Sequence, residues 1–194
     1  MPTRFSGIAA RSLLPSVAAV AVLAAASAYG ASSYLPESLT ATVGYSEDVV
    51  VYGIGARWAP KTQIDFLDSR RLQLLVDAQA AYWLGRGTPT PYGHVWDFSV
   101  TPMVRWRPAS PEARALYIEG GIGIRALTAT RINNDRQFGI AFQFGEQLGI
   151  GASFGPHDDY EVGLYVQHVS NADIKPRANW GLTYPGLVVR AKLP

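Results

Sequence analysis

A histidine and a serine stand two residues apart near the C-terminal end of the chain, at positions 168 and 170. The residues around them alternate in the way that is typical of a β-strand. Because successive side chains of a strand point to opposite faces, His168 and Ser170 are predicted to be neighbours on one face. A base held beside a hydroxyl is the first requirement for an activated serine nucleophile. The rest of that face is apolar and consists of Val162, Leu164 and Val166.

A carboxylate is predicted to lie opposite the histidine. A hairpin between the sixth and seventh predicted strands would pair Phe154 with Tyr160. In that antiparallel register Glu146 lies directly across from His168. Glu146 could then orient His168, and His168 could take the proton of Ser170. The structural alternative is an interfacial glutamate and an interfacial histidine at the edge of a lipid-facing belt, with a serine at a strand end.

Composition limits the classes of function that need to be considered. The 194 residues suffice for one domain, and the net charge of +2 arises from scattered basic residues, which argues against a nucleic-acid partner. The chain has no cysteine, which excludes disulfides and thiol chemistry. It also has no metal-ligand spacing and no glycine-rich phosphate loop, so neither a metal nor another cofactor is expected. Nineteen glycines, five tryptophans and ten tyrosines suit a β-rich protein with aromatic girdles.

The N-terminal segment is predicted to be a secretory signal peptide. Two arginines within the first eleven residues precede an apolar stretch and then a run of small residues. Cleavage after Ala28 or Gly30 would make residues 1–30 the signal peptide and residues 31–194 a single mature domain. A retained membrane anchor is the alternative, and the short apolar run argues against it.

The mature segment alternates with a period of two over most of its length. Eight strands are predicted: Ser38–Ser46, Val49–Trp58, Leu72–Leu84, His94–Arg107, Ala115–Leu127, Gln137–Phe154, Tyr160–Ser170 and Leu182–Lys192. In the sixth, the even positions from Phe138 to Phe154 are mostly large and apolar, whereas the odd positions are small or polar. This pattern predicts an all-β fold, an eight-stranded antiparallel transmembrane β-barrel with its apolar face toward lipid. A soluble lipocalin-like barrel is the alternative, and the ending in Pro194 departs from the terminal aromatic residue that is usual in membrane barrels.

The C-terminal third of the chain resembles the signature of the PagL-type lipid A 3-O-deacylases. The resemblance is carried by His168–Pro176 with Asn179-Trp180-Gly181 after it, and upstream by Tyr117–Gly123, Phe142–Gly145, Gly149–Gly151 and Phe154-Gly155. It covers roughly the second half of the mature chain, and the His-x-Ser-Asn-Ala element is its most specific part. It implies a serine esterase in the outer membrane of a Gram-negative bacterium. Such an enzyme removes the 3-linked hydroxyacyl chain from the lipid A of lipopolysaccharide.

The resemblance also implies a role for each residue of the signature. His168 would be the base and Ser170 the nucleophile, both facing outward into the bilayer. Asn171 and Asn179, with the backbone N–H near Asp173, would stabilise the oxyanion, and donors of this kind contribute a few kcal/mol each.

The sequence departs from the family pattern at two positions. The family's orienting acid lies shortly after the Asn-x-Gly segment, where this chain has Leu182-Thr183-Tyr184, and Thr183 cannot act as a carboxylate. Asp173 also stands where a glycine is usual. Three interpretations follow: the acid comes from elsewhere, with Glu146 the first candidate, or the site is a Ser–His dyad, or activity is reduced.

Two other classes of function stay open at this point. One is a catalytically silent outer-membrane barrel with a structural or adhesion role, and the other is a soluble periplasmic lipid carrier. The sequence also leaves open whether two copies pair as a homodimer.

Overall fold

The computed structural model describes residues 35–60, 71–86, 93–134, 136–174 and 181–194. The fold is a closed barrel of eight antiparallel strands, in which each strand pairs with the next and the eighth pairs with the first. The strands are β1 (Ser38–Tyr45), β2 (Val49–Trp58), β3 (Leu72–Gly85), β4 (His94–Trp106), β5 (Leu116–Leu127), β6 (Phe142–Phe154), β7 (Tyr160–Ser170) and β8 (Leu182–Lys192). The predicted eight-stranded barrel is confirmed, and the predicted signal peptide lies outside the described residues.

A 3-10 helix of three residues, Pro111–Ala113, lies between β4 and β5. Over the described ranges, no helix has the length and apolar character needed to cross a membrane.

The two faces of the barrel wall differ in the way that the alternation in β6 predicts. Large apolar side chains are exposed on the outer face, among them Ile54, Ile122, Leu148, Ile150, Leu164 and Val166. Polar side chains of the same strands, such as Gln143 and Gln167, are buried inside the barrel. A soluble barrel has the opposite arrangement, with its apolar side chains inside, so this wall is built to contact lipid.

Charged side chains fill the half of the interior that lies nearer the chain termini. The Glu119 carboxylate accepts hydrogen bonds from Arg57, Arg105 and Arg190 at 2.8, 2.7 and 2.9 Å. Glu161 also pairs with Arg105 and Arg190. Buried charges are tolerated when they are paired and hydrogen-bonded in this way. The cluster therefore closes this half of the barrel with side chains.

The segment between β5 and β6 departs from the prediction. The sixth strand begins at Phe142 instead of Gln137, and residues 128–134 and 136–141 bend over one end of the barrel. Phe138, which was predicted to face lipid, is buried and its ring centroid lies 6.0 Å from that of Trp83. The side chain turns inward because the regular ladder stops at Phe142, so the period-two assignment of faces does not extend to residue 138. We call this segment the cap.

The cap marks the end of the barrel that carries the candidate site. The β1–β2 turn at residues 46–48, the cap, the end of β7 and the start of β8 all lie at this end, opposite the chain termini. We call this end the mouth.

Candidate active site

The strand register brings the predicted residues together at the mouth. Phe154 pairs with Tyr160, and Glu146 lies directly opposite His168, so the predicted β6–β7 register is confirmed. On the other side of β7, His168 lies opposite Thr183 of β8. Three neighbouring strands therefore contribute to one small area of the wall.

His168 and Ser170 lie on the outer face of β7. Both side chains are half-buried, whereas Val169 between them is fully buried, as expected when alternate residues face opposite sides. Below them, towards the chain termini, the same outer face continues with exposed Val166 and Leu164. The pair therefore sits at the mouth end of an apolar stripe that faces lipid.

The imidazole of His168 is held by β8. Its Nδ1 lies 2.7 Å from Oγ1 of Thr183, which is a hydrogen-bond distance. When the threonine hydroxyl accepts the Nδ1–H, Nε2 is left without a proton. That tautomer is the one in which the ring can act as a base.

Gly181 packs against the edge of the same ring. Its backbone is left-handed, with φ of +59°, and a Cβ added there would lie 3.0 Å from Cε1 of His168. Both observations favour glycine at this position, since other residues are strained at this φ and a Cβ would press on the edge of the ring. The sequence prediction assigned Gly181 no role, although its place just before β8 in the signature was visible.

The predicted acid, Glu146, is exposed on the outer face beside His168. Within the described residues its carboxylate makes no hydrogen bond to the imidazole, and the Nδ1 position is taken by Thr183 instead. Directly opposed residues of an antiparallel pair have Cβ atoms about 5 Å apart, so the Glu146 side chain lies within reach of the ring. Its role as an orienting acid stays a prediction.

Ser170 ends β7, and its hydroxyl makes no hydrogen bond to the His168 ring within the described residues. Catalytic hydrogen bonds often form fully only when substrate binds. Asn171 follows and is fully buried, and its carbonyl accepts a hydrogen bond from the Ile174 N–H at 3.1 Å. Ala172 and Asp173 both have left-handed backbones, with φ of +49° and +63°, which turn the chain sharply. Asn179 lies outside the described residues.

Comparison with known proteins agrees with the fold and with the signature. The model of a protein family described as "Lipid A 3-O-deacylase (PagL)" matches residues 50–192. A "Lipid A deacylase PagL" of Bordetella bronchiseptica is 40% identical over 105 residues, which span 54% of this chain and 54% of that protein. A "Lipid A deacylase PagL" of Pseudomonas aeruginosa is 30% identical over 166 residues, which span 85% of this chain and 90% of that protein.

A solved structure, "Crystal structure of the outer membrane enzyme PagL", has the same fold. It superposes with a TM-score of 0.63 at 24% sequence identity and covers 80% of this chain and 99% of that chain. The family model and the Pseudomonas relative both extend over most of the chain, well beyond the C-terminal signature. The chain belongs to the lipid A 3-O-deacylase (PagL) family.

Proposed function

We propose that this protein is an outer-membrane lipid A 3-O-deacylase, a serine esterase that hydrolyses the 3-linked hydroxyacyl ester of lipid A. Membership of the family and the apolar outer wall support the reaction and the location. The observation that carries the proposal is the placement of His168 and Ser170 side by side on the outer face at the mouth. An ester embedded in the leaflet can reach this pair while its acyl chain stays in the hydrocarbon layer.

The reaction follows the logic of serine esterases. The Oγ of Ser170 attacks the ester carbonyl while Nε2 of His168 takes the hydroxyl proton. The tetrahedral intermediate collapses, the C–O bond to the sugar breaks, and the imidazolium returns the proton to the sugar oxygen. A water molecule, deprotonated by the same imidazole, then attacks the acyl-serine. The bond between the acyl carbon and Oγ breaks, the imidazolium returns the proton to Oγ of Ser170, and the fatty acid leaves. Asn171 and Asn179 are the proposed donors to the oxyanion in both steps.

Two side chains share the task that one carboxylate performs in a Ser-His-Asp triad. Thr183 fixes the orientation of the His168 ring through its hydrogen bond with Nδ1, and it can accept the Nδ1–H in the tautomer that leaves Nε2 free to act as the base. Glu146, opposite His168 on β6, supplies a negative charge beside the imidazolium that forms during the reaction. The first task depends on contact and the second on charge, so substitutions can separate them.

The test is the lipid A profile of cells that express the protein, measured by mass spectrometry. Ser170→Ala and His168→Asn should each abolish loss of the 3-linked hydroxyacyl chain while the barrel still folds. His94→Asn is a matched control, because His94 is an exposed residue at the mouth end of β4. Full activity of both site variants would contradict the serine mechanism.

A catalytically silent barrel is the second candidate, and it is favoured by the presence of Thr183, and of no carboxylate, near the position of the family's acid. Wild-type protein would then leave the lipid A profile unchanged, as would every variant. Release of fatty acid from purified lipid A by the wild-type protein would exclude this candidate.

A further inference from the structure

The cap is held together by hydrogen bonds between its own residues. The N–H of Phe138 donates to the carbonyl of Thr130 at 2.6 Å, and the N–H of Ile132 donates to the carbonyl of Arg136 at 3.1 Å. Ile132, Asn133 and Phe138 are all buried. The backbone of Arg136 is therefore fixed by a compact turn.

The cap is also tied to two other parts of the mouth. The side-chain amide of Asn133 donates to the carbonyl oxygen of Asp48 at 2.9 Å and to that of Arg86 at 3.2 Å. These bonds join the cap to the β1–β2 turn and to the end of β3. Arg136 is consequently held at a defined place relative to the barrel wall.

The guanidinium of Arg136 connects two segments on either side of the mouth. Its Nε donates to Oδ2 of Asp48 at 2.8 Å, and its Nη1 donates to the carbonyl oxygen of Gly181. A guanidinium presents several N–H donors in a rigid plane, so it can hold both acceptors at once in a way that an ammonium group on a flexible stem cannot. The side chain is 22% exposed, so these bonds are partly shielded from water.

Gly181 is the residue that packs against His168. A Cβ at Gly181 would lie 3.0 Å from Cε1 and 3.4 Å from Nε2 of the imidazole, so the glycine backbone borders the nitrogen that must accept the proton of Ser170. Gly181 also directly precedes β8, which begins at Leu182, and it stands two positions before Thr183, the hydrogen-bond partner of His168. A displacement of Gly181 therefore alters both the space beside the ring and the start of the strand that holds it.

We propose that Arg136 is a positioning residue for the deacylase reaction: it holds Gly181 against the imidazole and so keeps the ring of His168 in its place on the outer face beside Ser170. The inference rests on the proposed function. The guanidinium bonds of Arg136 go to Asp48 and Gly181, so we expect its loss to affect the rate of the chemical step more than substrate binding. Misplacement of a catalytic group by about 1 Å can lower a rate by about 100-fold. Loss of the guanidinium should thus lower kcat and leave KM nearly unchanged.

The experiment measures fatty-acid release from purified lipid A in detergent micelles by the full-length protein and its variants. Arg136→Met should lower kcat by about 10- to 100-fold with KM within about two-fold of wild type. Arg136→Lys should fall between Met and wild type, because lysine keeps the charge beside Asp48 and cannot hold both acceptors in one plane. Asp48→Asn should lower kcat only a few-fold, since the bond to Gly181 remains.

Arg131→Met is the matched control. Arg131 lies in the same cap, but among the described residues its guanidinium donates only to the Asn133 carbonyl and the Asn134 side chain, both in the cap. This variant should keep wild-type kcat, and the heat-dependent gel mobility of folded barrels should be the same for all variants.

Several results would overturn the proposal. One is a kcat of Arg136→Met within two-fold of wild type, and another is an equal loss in Arg131→Met, which would point to the general integrity of the cap. If Arg136→Met does not fold, Arg136→Lys decides, and a wild-type kcat in that variant refutes the inference. Failure of the proposed function is seen separately, as activity that survives Ser170→Ala.

Discussion

Replacing Thr183 tests how His168 is oriented without a carboxylate at Nδ1. Thr183→Val removes the hydroxyl and preserves the branched shape, and the side chain is exposed on the outer face, so the barrel needs no repacking. The bond lost is a neutral hydrogen bond of 2.7 Å. Such a bond contributes about 1 kcal/mol net, and about 1.4 kcal/mol corresponds to a factor of ten in rate. We expect kcat/KM to fall by about five-fold.

Thr183→Glu should have the opposite effect. A carboxylate opposite His168 would accept the Nδ1–H in a charge-assisted hydrogen bond, which is roughly twice as strong as a neutral one. The additional stabilisation of about 1 kcal/mol predicts a kcat/KM about five-fold above that of wild type. Thr183→Ser keeps the hydroxyl and should stay near wild type, which makes it the control for altered packing.

The assay is the initial rate of hydroxy fatty acid release from purified lipid A, measured by mass spectrometry at several lipid mole fractions. Glu146→Gln is measured in parallel, because Glu146 is the other group proposed to assist the ring. A wild-type rate for Thr183→Val together with a loss of ten-fold or more for Glu146→Gln would refute the role of Thr183. Orientation of the ring would then belong to the carboxylate on β6.

Three further predictions concern the charged cluster inside the barrel, the contact of Gly181 with the His168 ring, and Asp48 at the mouth. Glu119→Gln should lower the free energy of unfolding by about 3–5 kcal/mol in urea titrations, because Arg57, Arg105 and Arg190 lose the carboxylate that they share. An unchanged urea midpoint would show that this cluster does not stabilise the barrel. Gly181→Ala should reduce kcat at least ten-fold by displacing His168. Gly93→Ala is the control: its φ is also left-handed, at +46°, but among the described residues no atom lies within 4 Å of the added Cβ, so kcat should stay at the wild-type value. Burial raises the pKa of the Asp48 carboxyl, but hydrogen bonds from Arg136 and Ser46 outweigh this effect and hold the pKa below the ordinary 3.8. This carboxylate therefore stabilises the fold above about pH 4 and loses that effect as pH falls through the lowered pKa, so thermal unfolding of Asp48→Asn should show less acid sensitivity there.

The sequence predicts the barrel and the β6–β7 pairing because both depend on local rules. Period-two alternation assigns the faces, and the short turn after Phe154 fixes the register that brings Glu146 opposite His168. The bounds of β7 and β8 agree with the predicted ones for the same reason.

The cap and the contacts of His168 on β8 could not be predicted in this way. Phe138 continues an apolar pattern, and only the tertiary arrangement at the mouth turns it inward against Trp83. The bond from Arg136 to Gly181 joins residues 45 positions apart in segments without regular periodicity. Likewise, the pairing of His168 with Thr183 spans the long β7–β8 connection, whose length does not determine a register.

Ser170 is the last residue of β7 and faces outward, and this position would determine how reactants reach the proposed nucleophile. Under the proposed mechanism, the acyl ester reaches Ser170 by lateral diffusion within the leaflet. The hydrolytic water comes from the aqueous phase above the mouth, because the buried side chains of Val169 and Gln167 fill the wall behind the site. The reaction velocity then depends on the number of lipid A molecules per unit of membrane area and hardly on the bulk concentration of lipid A. Diluting lipid A with inert detergent at constant total lipid A should therefore slow the reaction. An amphiphile that competes with lipid A for the outer face at the mouth should inhibit the reaction even when its solubility in water is negligible.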